Sequence, residues 1–226
     1  FPDSGYVRLA SSNVMVLLDV APIGPDYLPG HAHADTLSFE LSLFGQRLIV
    51  NGGTSEYGIN SVRQYERSTK AHSTVVVNDE NSSEVWSGFR VARRGYPFDL
   101  KIKELENLVD ISCAHDGYKR FNGKPVHRRN WKFFETSLTI KDQIEGPFKN
   151  AYAYFHFHPS INISKKQRKV WNIEMSNGRQ VKLHVRTGEA LVEASYYAPE
   201  FGKRINTKCL KVALDKKEGS SVKILW

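Results

Sequence analysis

Short apolar runs broken by turn-forming residues dominate this sequence from end to end. Residues 14–20, 37–43, 48–50, 74–77, 108–113, 133–140, 151–157, 181–185, 190–196, 209–214 and 222–226 all read as strands. Between them stand Phe44-Gly45-Gln46, Asn78-Asp79-Glu80-Asn81, Phe121-Asn122-Gly123-Lys124, Ser176-Asn177-Gly178-Arg179 and Lys216-Lys217-Glu218-Gly219. Asn177-Gly178 predicts a two-residue hairpin turn. About eleven short strands with such punctuation predict an all-β fold, a large sandwich of antiparallel sheets with little helix. Only residues 61–70, where Val62, Tyr65, Glu66 and Thr69 recur at helical spacing, read as a helical turn. No internal repeat or linker appears, so residues 1–226 are expected to form one domain.

The densest chemistry lies in Gly30-His31-Ala32-His33-Ala34-Asp35, just before a strand. Leu37, Phe39, Leu41 and Leu43 share one parity, with Ser38, Glu40 and Ser42 on the other. Extended backwards, that parity places His31, His33 and Asp35 on the strand's inward face, which marks a candidate site. Imidazole titrates near neutrality and suits proton transfer. Downstream, Arg63 and Arg67 are candidates for bidentate carboxylate binding. Tyr57 and Tyr65 are candidates for assisting proton transfer. Arg90, Arg93 and Arg94 form a second basic set, and a third runs from Lys119-Arg120 to His127-Arg128-Arg129. Trp86, Phe89 and Trp131 flank them as stacking surfaces. His156 and His158 repeat the alternate spacing without a third ligand nearby and read as core or cleft-wall residues.

Three blocks carry a resemblance. Pro29-Gly30-His31-Ala32-His33-Ala34-Asp35, then Gln46-Arg47-Leu48-Ile49-Val50-Asn51-Gly52-Gly53-Thr54, then Arg67-Ser68-Thr69-Lys70-Ala71-His72-Ser73-Thr74-Val75 resemble, in order and approximate spacing, the C-terminal β-domain of the heparinase II/III-like polysaccharide lyases. The stretch from Ser83 to Arg94 is similar to members from surface-polysaccharide gene clusters. The resemblance implies β-elimination on an acidic, uronate-containing polysaccharide, with His31 at the position of the catalytic histidine. It implies an α/α-toroid domain upstream, a bacterial parent working in the periplasm or outside the cell, and little activity in this chain alone.

In zinc-bearing members, His33 and His72 match metal ligands, but the intervening aspartate is replaced here by Asn51. An uncharged amide is a poor zinc ligand. The expectation is therefore no cofactor and a hydrogen-bonded cluster of His33, Asn51 and His72, with structural zinc, completed by Asp35, as the alternative.

The formal net charge of +8 and pI of about 9.4 favour a polyanionic partner. Nothing matches a nucleic-acid-binding module, and no apolar run is long enough to span a membrane as a helix. The N-terminus carries neither an initiator Met nor a signal layout, so a fragment or processed product is expected. Cys113 and Cys209 read as core thiols. Two further classes fit parts of the pattern. A non-catalytic carbohydrate-binding sandwich needs only the basic and aromatic surface. A cupin would use the His-x-His pair, but positions 37 and 38, where its glutamate belongs, hold Leu37 and Ser38.

Overall fold

The computed structural model describes residues 2–226. Its elements are β1 (Tyr6–Ser11), β2 (Val14–Asp19), β3 (Phe39–Leu43), β4 (Gln46–Ile49), α1 (Ser61–Arg67), β5 (Val75–Val77), β6 (Val85–Trp86), β7 (Arg90–Val91), β8 (Pro97–Leu105), β9 (Leu108–His115), β10 (Val126–Phe134), β11 (Ser137–Glu145), β12 (Ala151–His156), β13 (Asn162–Gln167), β14 (Val170–Glu174), β15 (Gln180–Thr187), β16 (Glu189–Glu200), β17 (Lys203–Ala213) and β18 (Ser220–Leu225). All strand pairs within the sheets are antiparallel.

The back layer is an eight-stranded sheet in the order β13-β14-β15-β18-β11-β10-β9-β8. The front layer combines β1-β2-β3-β4 with β16-β17-β12-β5. These two sheets join where Ile49 lies opposite Phe157, with the Val50 N–H donating to the His156 carbonyl at 3.0 Å and the His158 N–H to that of Leu48 at 3.0 Å. The core fills the space between layers. Leu18, Leu37, Phe39, Leu41 and Phe155 come from the front, and Trp131, Ile140, Leu183 and Ile224 from the back. Each such side chain contributes about 1.5–3 kcal/mol through burial.

The all-β sandwich follows the alternating pattern, and the expected helical stretch 61–70 is occupied by α1, an extended Ser68 and the start of the short 3-10 turn Thr69–Ala71. The number of strands was underestimated. β1, β8 and β13 are largely exposed along their length, so they lack the apolar alternation that reveals a half-buried strand. The expected strand 133–140 is instead a hairpin: Phe134 pairs with Ser137 around Glu135-Thr136, a turn without glycine or asparagine to announce it. At Asn177-Gly178 the loop has three residues. Met175 and Arg179 close it, the Gly178 N–H returns to the Met175 carbonyl at 2.9 Å, and Gly178 takes the left-handed conformation.

Strand parity does not extend back from β3 to His31 either. Leu37 sits at φ 62°, which interrupts the extended chain, and residues 31–36 form an irregular loop. Side chains take the place of a sheet ladder there. Arg67 Nε donates to the Ala32 carbonyl at 3.0 Å, Ser82 Oγ to that of Ala34 at 3.1 Å, and Thr74 Oγ1 to that of Thr36 at 2.9 Å. The Leu37 carbonyl accepts from Arg129 Nη1 at 2.9 Å. A buried backbone carbonyl needs a donor, and here each comes from a different segment.

Arg129 is fully buried and belongs to the back sheet. Its Nε and Nη2 bind Asp142 at 2.6 and 3.0 Å, while Nη1 crosses the core to Leu37 and, at 2.6 Å, to the Ser73 carbonyl. His127 Nε2 donates to Asp142 at 2.8 Å. Burial works to raise the Asp142 carboxyl, but the Arg129 and His127 contacts overcome it and hold it down at about 2. Arg129→Met would leave this carboxylate without its cation, held only by His127 and Ser220, and two carbonyls without their donor. We expect a loss of about 3–5 kcal/mol, read as a fall in the denaturant midpoint; a change below about 1 kcal/mol would show that the bridge does not hold the layers together.

Candidate functional site

Asn60 caps α1, its Oδ1 accepting from the Arg63 N–H at 3.0 Å. Helical spacing then turns Arg63 and Arg67 toward the 31–37 loop and the β6–β7 hairpin, and Tyr65 away from them. Gly52-Gly53 lets the following backbone slip between two others. A Cβ on Gly52 would lie 2.5 Å from the Ala71 carbonyl oxygen, and one on Gly53, at φ 78°, would lie 2.0 Å from that of Ala198. This close passage sets Asn51 beside His72.

A cleft of about 340 Å³ opens at the front layer, lined by His31, His33, Asp35 and Asn51 together with Tyr6 and Asp19. His31 is exposed at its rim. The imidazole packs edge-on against Tyr57 and Phe89, with ring centroids 5.3 and 5.6 Å apart. Tyr57 also meets Phe201, 5.0 Å away. Phe201, from the β16–β17 turn, has no counterpart among the residues singled out by sequence. Its partner is separated by most of the chain, and a lone aromatic in a turn carries no signal.

Behind His31 runs a hydrogen-bond network that links Arg63 to Asp35 through two imidazoles and an amide. Arg63 Nη1 lies 3.2 Å from His33 Nε2, and a guanidinium only donates, so this nitrogen accepts. His33 Nδ1 lies 3.2 Å from His72 Nε2, a nitrogen that also faces the Glu66 carbonyl at 3.1 Å, and the Thr54 hydroxyl stands 3.1 Å from His33 Nε2. His72 then donates from Nδ1 to Asn51 Oδ1 at 2.7 Å, and the Asn51 amide donates to the Asp35 carboxylate. Burial pushes His72 down to about 4, although the Glu66 carbonyl 3.1 Å from Nε2 favours its protonation. Burial also depresses His33, reinforced by His72, Arg63, Arg67 and His31. At the far end, burial lifts Asp35 to about 6, and burial together with Asp35 lifts Asp19.

As a zinc site this donor set does not fit. Asn51 engages the nitrogen of His72 that points away from His33, so only two imidazole nitrogens face each other, and a guanidinium stands against the remaining nitrogen of His33. Among the described residues, no group of three or more His, Cys, Asp or Glu side chains is arranged to hold a metal.

The other sequence candidates separate by burial. Arg67, a candidate for carboxylate binding, is fully buried and directs its guanidinium to four backbone carbonyls, those of Ala32, Trp86, Ser87 and Arg90. It clamps the loop to the hairpin and has a positioning role. Arg63 is also buried, but its Nη2 lacks a hydrogen-bond partner; its guanidinium lies 5.2 Å from the Tyr57 ring centroid. Tyr65 stands apart from His31, its hydroxyl 3.3 Å from Ser195 Oγ, which in turn lies 2.8 Å from His156 Nδ1.

On the hairpin, Trp86 is 55% exposed and Arg90 lies over its ring. Arg93 pairs with Glu84 at 2.6 Å and Arg94 with Asp26 at 3.0 Å. Trp131, expected to be a stacking surface, is fully buried in the core, as are His127 and Arg129 of the third basic set.

This two-layer antiparallel sandwich is a fold shared with solved heparinase structures. The family model for the heparinase II/III-like C-terminal domain matches residues 1–225, and the chain belongs to that family. It is similar in fold to the heparan sulfate lyase HepC from Pedobacter heparinus, with a TM-score of 0.80 and 16% identity over 98% of this chain and 35% of that one. It is likewise similar to the heparinase III BT4657 gene product (TM-score 0.78, 18% identity, 99% and 35% coverage). A further heparinase III structure gives a TM-score of 0.77 at 14% identity, with 98% and 35% coverage. The chain thus spans about a third of the length of these structures. No curated protein sequence matches it.

The buried imidazoles fix how stability depends on pH. Burial lowers His33, His72, His115, His127 and His156 below the ordinary 6.5, His72 to about 4 and His156 to about 3. The unfolded chain therefore binds more protons than the folded one below that value, and stability drops as the pH is lowered through it. Asp35 acts in the opposite sense, its stabilising proton being lost as pH rises through about 6, but the imidazoles outnumber the Asp19–Asp35 pair. The thermal midpoint should be lower at pH 5 than at pH 7, with net proton uptake on unfolding. A higher midpoint at pH 5 would contradict these assignments.

Proposed function

We propose that this chain is the β-domain of a polysaccharide lyase that cleaves uronate-containing acidic polysaccharide by β-elimination. In that reaction the C5 proton is removed, its electron pair forms the C4–C5 double bond, the C4–O4 bond breaks, and the departing oxygen takes up a proton. His31 is the proton-transfer residue in this reading. The observation that carries it is the exposed imidazole at the rim of the cleft, flanked by Tyr57 and backed by a polar chain that ends in Arg63.

Tyr57 is the second candidate for proton transfer, and Arg63, whose unpartnered Nη2 is buried against the Tyr57 ring, would meet the uronate carboxylate only once that ring moves aside. Trp86, Arg90, Arg93 and Arg94 extend the sugar-binding surface along the rim. The His33-His72-Asn51 cluster holds the site without a metal. A further domain of the parent, expected to be an α/α-toroid, would supply the opposing wall, so that this chain alone lacks a complete site.

The exposed rings of Tyr57, Phe89 and Phe201 also favour a second reading, a carbohydrate-binding module without catalysis. Variants of the intact parent separate the two. His31→Ala should lower kcat by about 10²-fold or more with folding preserved. His72→Ala should mainly lower stability, by about 1–3 kcal/mol, because His33 and Asn51 lose their partner. Purified chain alone should give no rise in ultraviolet absorbance from unsaturated uronate. Normal turnover in the His31 variant removes the catalytic assignment, and robust cleavage by the isolated chain removes the shared-site model.

A further inference from the structure

The outward face of the eight-stranded sheet lies on the opposite side of the sandwich from the cleft. Along its strands, residues of one parity are buried, among them Trp131, Ile140, Leu183, Val185, Val222 and Ile224. The alternate positions point outward. They present Lys101 and Lys103 on β8, Lys132 on β10, Lys141 on β11, Lys182 and Arg186 on β15, and Lys223 on β18.

The register arranges these cations. Lys103 pairs with Asp110, Asp110 with Lys132, Lys132 with Thr139, Thr139 with Lys223, and Lys223 with His184, so one row crosses six strands. Within it, Lys103, Lys132 and Lys223 occupy alternate strands, about 10 Å apart from one to the next. Lys182 and Arg186 flank His184 along β15, and with Lys223 their charges contribute to lowering that imidazole, after burial. Only Lys132 among these seven has an acidic side chain within 4.0 Å among the described residues, Asp110 at 3.4 Å. Opposite charges elsewhere on the face sit at its ends, where Asp99 and Glu145 pair with Arg128.

Unpaired cations repeated across a flat, rigid sheet suit a linear polymer carrying regularly spaced anions. Single-stranded nucleic acid is less well matched, because it binds by stacking on exposed aromatic rings. On this face Phe134 is half-buried with Lys223 Nζ 5.8 Å from its ring centroid, while the exposed rings of Trp86, Phe89 and Phe201 lie elsewhere. We propose that this face is a second, non-catalytic docking surface for a linear acidic polysaccharide, distinct from the cleft and independent of any lyase activity.

The test uses the full chain and heparin, a sulfated uronate polymer, with binding measured by titration calorimetry over a series of salt concentrations. The variant Lys182→Glu/Arg186→Glu/Lys223→Glu should lose affinity on the order of tenfold or more, with a shallower salt dependence. Lys203→Glu/Lys208→Glu/Lys216→Glu removes the same charge elsewhere and should lose less than about threefold. The corresponding glutamine variant of the face repeats the measurement should the glutamate version fail to fold. Equal losses in the two sets would reduce the effect to net charge and overturn the proposal. So would tighter binding of double-stranded DNA than of heparin at equal salt, lost in the same face variant.

Discussion

A single guanidinium joins the two layers of this sandwich at the point where the site is built. Arg129 sits in the back sheet with its charge matched by Asp142, and its remaining donors reach the carbonyls of Leu37 and Ser73 in the front. Those two residues end the segments that carry His33 and His72. Taking a charge pair out of water is costly, and the gain here is geometric more than energetic. The loop and the histidine-bearing turn are placed relative to each other by one rigid fork, and the spacing of the imidazoles follows from it.

The rest of the site repeats this device with other side chains. Arg67, Ser82 and Thr74 supply donors to carbonyls that no strand satisfies, which is how a loop without regular hydrogen bonding holds its shape. Arg67 and Arg63 stand one helical turn apart and have different tasks. The first fastens the hairpin to the loop; the second keeps a free nitrogen against Tyr57 and polarises His33.

Much of this was legible in the sequence. Alternation along Leu37 to Leu43, and the turn residues between runs, gave the sandwich, and the three blocks around His31, Asn51 and His72 do converge in space. What could not be read has identifiable causes. Exposed strands such as β8 carry no apolar period. The positive φ of Leu37 leaves no mark on composition, so strand parity was carried too far back. The fate of Arg67, Trp131 and Arg129 depended on burial, because a basic or aromatic residue in a strand or short helix reads the same whether it faces solvent or core. Phe201 joins Tyr57 only through the fold.

The unbroken contacts from Arg63 to Asp35 make the cluster behave as one object. His72 Nε2 faces both the His33 imidazole and the Glu66 carbonyl, so a change of tautomer at one histidine is felt at the other and at Asn51. The two imidazoles thus change tautomer as a pair, although Arg63 contacts only one of them. Asn51 belongs to the same set, since an amide can pass a hydrogen bond onward to Asp35 where a carboxylate could only receive one.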